Sequence, residues 1–144
     1  MPASELLPLV IAEFMPRFIT GGEVLYRGDA PSFRRAQFST FERRRSNLAS
    51  VLPAVVIGIS AQRRFAIVDL VTIRGVIDEK RRRELRQLFG GTGEPLIFIT
   101  ALEARTQLAK ALPAWETVAW VAGEPEHLIH LGPPRLFEPY PKNL

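Results

Sequence analysis

The sequence predicts an α/β fold of three layers, a sandwich with helices on both sides of a mixed β-sheet. Three observations carry that prediction. The element order reads helix, three strands, helix, strand, helix, strand. Within it, "LPAVVIGISAQRRFAIVDLV", Leu52 to Val71, has two short apolar runs around a polar turn and reads as a buried hairpin. An Arg-rich amphipathic stretch then leads to "PLIFIT", a continuous apolar run of the kind expected of a strand covered on both faces.

Residues 4–18 predict the first helix. Ser4 can serve as its N-cap, and Leu6, Leu7, Val10, Ile11, Phe14 and Phe18 recur at helical spacing. Pro8 falls in the first turn, where proline is tolerated, and Pro16 ends the regular part. "GG" at 21–22 is a turn and "EVLYRG" a short strand. Residues 29–50, with Pro31, Phe33, Phe38 and Phe41, read as a loop holding one short helical stretch around 39–49. The hairpin follows as strand 54–59, turn 60–63 and strand 64–72. "DEKRRRELRQLFGG" is a helix with Asp78 as N-cap and Gly90–Gly91 as its stop. Leu85, Leu88 and Phe89 mark its buried face. "ALEARTQLAKAL" predicts a helix closed by Pro113, and "ETVAWVA" a strand. "EPEHLIHLG" then leads into a Pro-rich tail, 132–144, that packs back on the domain.

Length and composition bound the function. A chain of 144 residues with no evident break suits one domain, and 47% hydrophobic residues supply a core. The absence of cysteine excludes a disulfide framework and a cysteine zinc site, and it fits a reducing cytoplasm. The N-terminus lacks the basic region of a signal peptide, and no apolar run reaches the roughly 18 residues that span a bilayer, so no membrane partner is expected. Net charge is +4, but placement matters more. Arg34, Arg35, Arg43, Arg44 and Arg45 fall in one segment; Lys80, Arg81, Arg82, Arg83 and Arg86 fall in another. Planar guanidinium groups grip phosphate in two-pronged fashion, so a nucleic-acid partner outranks a merely solvated face.

The motifs of several chemistries are missing. "GDAPS" and "GGTGE" lack the strand–helix context and lysine of a phosphate loop. There is no G-x-S-x-G elbow. His127 and His130 lie three apart, a helical-face spacing, where a helix-end or packing role outweighs a metal pair. Asp69 is the unusual residue, an acid inside the apolar run "FAIVDLVTI". Burying it is costly unless it is paired or metal-bound. It either alternates outward on a half-exposed face, pairs with Arg74 or Lys80, or belongs to a metal site. In metal-dependent phosphodiester cleavage, carboxylates on stiff strands hold Mg²⁺ beside the scissile phosphate, and a nearby lysine steadies the water or the developing charge.

The chain resembles the PstI/BsuBI-type restriction endonucleases, a branch of the PD-(D/E)xK nuclease superfamily. "IAEFMPRFITGGEVLYRGDA" is similar to the family's opening helix and first strand, "LPAVVI" to its Pro-Asp strand, and "IVDLVTIRG" to its next strand. "VIDEKRRREL", "PLIFITALEARTQLAK", "AWETVAWVAGEPEHLIHLG" and "RLFEPY" follow in the family's order. The match runs from about residue 5 to 140 and is weakest over 31–50.

The resemblance implies a PD-(D/E)xK core and a Mg²⁺-dependent DNA endonuclease of restriction or phage-defence type. Mn²⁺ would be a substitute ion, and the ends left would be 5′-phosphate and 3′-hydroxyl. Asp69 matches the second-strand acid, usually glutamate, as a catalytic residue and metal ligand. Lys80 matches a lysine opening the next helix, and it or a neighbouring arginine would supply the positive charge. Glu13 matches an acid on the first helix that can complete the metal site. Arg34, Arg35, Arg43, Arg44, Arg45, Arg74, Arg81 and Arg82 are the expected DNA contacts. Thr72 matches the family, whereas Ile73 and Arg74 depart from its Ser-His. Ala54 stands where the family has the aspartate of Pro-Asp, the principal metal ligand. A methyl group cannot coordinate Mg²⁺, so cleavage by this chain is expected to be abolished or severely impaired. Two origins stay open, an introduced Asp→Ala change that traps substrate and a natural inactive member retained for DNA binding. The rival class is a non-catalytic DNA-binding or complex-assembly module. The expected partners are DNA, a second copy in a homodimer, and other subunits of a defence system. The reading is of a standalone core, without the separate N-terminal domain of the family's restriction enzymes.

Overall fold

A computed structural model of the chain describes residues 1–29, 50–59, 63–93 and 95–132. Its strands are β1 (Glu23–Arg27), β2 (Val55–Ile59), β3 (Arg64–Leu70), β4 (Leu96–Leu102), β5 (Thr117–Val121) and β6 (Leu128–Leu131). They form one sheet in chain order. β2 pairs antiparallel with β1 and β3, β4 lies parallel to β3 and β5, and β6 closes the edge antiparallel to β5. The sheet is mixed, as expected.

Helices clad both faces. On one side run α1 (Ala3–Leu9), a π-helical turn (Val10–Phe14) and α2 (Met15–Phe18). Their Leu6, Leu7, Val10 and Phe14 bury against Val55, Ile57, Val68, Leu70, Ile99 and Trp120. On the other side lies α4 (Glu79–Phe89), whose Leu85 and Phe89 bury against Val56, Phe65, Ile67 and Phe98. The period-two alternation along β2 and β3 distributes side chains between these two cores. Each fully buried Leu or Phe contributes about 1.5–3 kcal/mol. Between β3 and α4 sits a single helical turn, α3 (Val71–Arg74). No helix among the described residues is long and apolar enough to cross a membrane.

Several boundaries differ from those expected. The first helix begins at Ala3, and Ser4 makes no capping hydrogen bond; Pro2 holds the N-cap position. Pro8 lies inside α1 rather than in its first turn. Pro16 does not end the helical path. A proline removes the bond to the carbonyl four residues back and crowds it, and the wider π turn at Val10–Phe14 accommodates this immediately upstream. β3 stops at Leu70, and Gly75, with φ of 77°, ends the α3 turn. The helix expected over 101–112 is absent. Parallel pairing of Ala101 with Trp120 and Leu102 with Val121 draws the start of that segment into β4. The Gln107 side chain then accepts from the N–H groups of Glu103 and Ala104, leaving a 3₁₀ turn at Arg105–Ala109. β6 was not anticipated. His130 lies in it opposite Val118, so His127 and His130 do not share a helical face. The short helix expected around 39–49, the turn residues 60–62 and the tail from 133 onward lie outside the described residues.

Candidate active-site cavity

A cavity of about 580 Å³ opens at the end of the β2–β3 hairpin, between α1 and α3. Ala54 and Asp69 both line it. Ala54 precedes β2 and is fixed by backbone bonds on two sides. Its N–H donates to the Val68 carbonyl at 2.9 Å, and its carbonyl accepts from the Gly28 N–H at 2.8 Å. Position 54 is thus held next to the residue that carries the acid, on rigid backbone, and presents a methyl group.

Asp69 is 1% exposed. Its partner is Arg81, reaching across from α4: Nε donates to Oδ2 at 2.6 Å and Nη2 to Oδ1 at 3.1 Å. The pair is two-pronged, the strongest common geometry for a carboxylate. Arg81 Nη1 also donates to Glu84. Burial works against the Arg81 charge, but the contacts to Asp69 and Glu84 outweigh it and hold the guanidinium above its usual range. The Asp78 side chain sets this arrangement by accepting from the Arg81 N–H at 2.8 Å, as an N-cap should. The Ile77 N–H donates to the buried Thr100 hydroxyl at 3.0 Å, anchoring the α3–α4 link to β4.

The other predicted residues are spread more widely. Lys80 is exposed on α4 and does not line the cavity. Glu13, in the π turn, pairs with Arg17 and does not line it either. Arg81, expected to touch DNA, is 8% exposed and committed to Asp69, so it cannot be a free surface contact. Arg82 bonds Glu79 and the Trp115 carbonyl. Arg74 lines the cavity and donates to the Leu52 carbonyl at 3.0 Å. Arg34, Arg35, Arg43, Arg44 and Arg45 lie outside the described residues.

Asp29 was missed. It follows β1, lines the cavity, and is gripped by Arg27 through Nε–Oδ1 at 2.6 Å and Nη2–Oδ2 at 2.8 Å. That grip holds its carboxyl below the usual carboxylate range. The signal was present as an acid next to the glycine that ends "EVLYRG".

The Mg²⁺ implied by the resemblance does not fit the side chains gathered here. The ion needs several oxygen ligands in near-octahedral array. Ala54 offers none, and both oxygens of Asp69 and of Asp29 already face an arginine. Among the described residues no group of three His, Asp or Glu side chains could hold a metal ion.

A mixed six-stranded sheet clad by helices on both faces, with a buried acid near the end of its third strand, makes this an α/β domain whose fold is similar to that of a restriction endonuclease. The comparisons are more specific. The family model described as "BsuBI/PstI restriction endonuclease domain" matches residues 2–133, and the chain belongs to that family. The type II restriction enzyme BsuBI of Bacillus subtilis is 34% identical over 143 residues, which is 95% of this chain and 45% of that protein. The solved structure of the SdaI restriction endonuclease matches with a TM-score of 0.72 at 32% identity, over 97% of this chain and 46% of the other. The chain therefore spans about half the length of these relatives.

Proposed function

We propose that this chain is the nuclease-fold domain of a DNA-restricting protein, with its Mg²⁺-dependent cleavage abolished or strongly impaired by alanine at position 54. One observation carries the reading: Ala54 faces the same cavity as Asp69, and Asp69 is already neutralised by Arg81. The ion would supply an activated water and charge neutralisation if a carboxylate stood at 54. The residues present hold the strand ends and α4 in register and offer cationic surface to a phosphate backbone. Lys80 and Arg83, both exposed on α4, would approach it. Cutting both strands would call for a homodimer, and other subunits of a defence system are further partners.

The self-contained Asp69–Arg81 pair also supports the second reading, a DNA-binding or assembly module without catalysis. Restoration separates the two. Ala54→Asp is assayed on plasmid DNA with Mg²⁺ or Mn²⁺. Cleavage that appears, and disappears again in Ala54→Asp with Asp69→Ala, supports the nuclease. Intact duplex binding with no cleavage under any of these conditions supports the module.

A further inference from the structure

We infer that the cavity is a metal-independent phosphate site, with the Arg74 guanidinium as its anchoring cation. This rests on the proposed DNA partner and goes beyond it by naming how one phosphate is held. Charge balance carries the argument. The charged side chains lining the cavity are Asp29, Asp69 and Arg74. Each carboxylate is matched by its own arginine, Arg27 on Asp29 and Arg81 on Asp69, with both oxygens engaged in each case. Neither is left to attract a cation or to repel an anion at full strength. Glu84, which shares Arg81, is exposed and does not line the cavity.

Arg74 is different. Among the described residues its partner is a neutral one, the Leu52 carbonyl, reached through Nη2. Among the described residues no carboxylate pairs with it, and only Nη2 of its fork is engaged. Ala54 makes this state possible, because an aspartate at 54 would share the cavity with Arg74 and cancel its charge. The walls are largely apolar, with Leu7, Leu52 and Leu70 among them, which strengthens any charge interaction inside. A planar fork in such a setting selects a tetrahedral oxyanion. The volume falls within the roughly 300–1,000 Å³ of small-ligand sites, so a phosphate fits whether free or borne on a nucleic-acid backbone.

The test uses the intact chain, a fluorescent DNA duplex and inorganic phosphate, each in EDTA and in Mg²⁺. Duplex binding should persist in EDTA and not be strengthened by Mg²⁺, which competes for the phosphates as any cation does. Arg74→Gln should weaken it about tenfold and lower the slope of log affinity against log salt by about 1. Arg74→Lys, which keeps the charge but loses the fork, should recover part of the loss. Inorganic phosphate should shift the Arg74 Nε–H NMR signal, and Ala54→Asp should suppress that shift in EDTA. Duplex binding that requires Mg²⁺, or that keeps its affinity and salt slope in Arg74→Gln, overturns the phosphate site and leaves the DNA reading standing. A phosphate-dependent Arg74 shift without any duplex binding does the reverse: the anion site stands, with free phosphate as its ligand, and the DNA reading fails.

Discussion

Two arginine–aspartate pairs border one cavity with almost the same geometry and opposite surroundings. Arg27 and Asp29 meet at 2.6 and 2.8 Å at the open end of β1, with side chains 36% and 39% exposed. Arg81 and Asp69 meet at 2.6 and 3.1 Å under α4, with side chains 9% and 0% exposed. Hydrogen-bond lengths do not distinguish them; water does. At the exposed pair solvent screens the attraction and can replace either partner. At the buried pair neither ion can exist alone, because desolvation is recovered only through the other. The first pair tunes the charge of the cavity mouth, and the second is a structural clasp between the sheet and α4.

The comparison breaks most visibly at Arg81. Arg81→Ala should cost about 3–5 kcal/mol in urea denaturation, because it leaves a buried carboxylate without a counter-ion. Replacing both partners by apolar residues of similar volume, Asp69→Leu with Arg81→Met, should restore most of that loss. If the single and double replacements are equally unstable, the clasp interpretation fails. Asp29→Asn should cost only about 0.2–1 kcal/mol at neutral pH, and less at high salt. Its acid dependence has a definite sign. Arg27 depresses the Asp29 pKa in the folded state. Its stabilisation is therefore fully present above the ordinary carboxylate pKa and is lost as pH falls through the depressed value. The melting-temperature gap between wild type and Asp29→Asn should close on acidification; a gap that widens contradicts the assignment. Smallest of all, Lys80→Ala should leave stability within about 0.5 kcal/mol. If Lys80 meets a phosphate, the same change should lower the salt slope of duplex binding by about 1.

The same two pairs show what was legible in the sequence. Asp69 was conspicuous because a lone acid in an apolar strand demands an explanation. The sequence offers Arg74 and Lys80 as partners, yet the helical pattern points to Arg81. Arg81 stands four residues before Leu85 and eight before Phe89, so it shares their buried stripe, while Lys80 sits one step round the helix. Asp29 went unnoticed because its importance comes from where β1 ends against Ala54, a contact between distant segments with no local signature. The layers and the hairpin followed from periodicity. The segment after β4 did not, because strand pairing overrode a sequence with good helical spacing. β6, four residues long and half-buried, offered too short a pattern to stand out beside the turns around it.

The β1–β2 connection has one further consequence. These strands pair through Glu23–Gly58, Val24–Ile57, Tyr26–Val56 and Arg27–Val55, while residues 28–54 intervene along the chain. At the described ends of that segment, Gly28 bonds Ala54 through the backbone and Leu52 is buried in the core, so both ends belong to the sheet. Both ends of the segment open onto the cavity, through Gly28 and Asp29 on one side and Leu52 and Pro53 on the other. The pairing of β1 with β2 thus sets the cavity rim: a change that slips the register of these strands also moves the residues that line it.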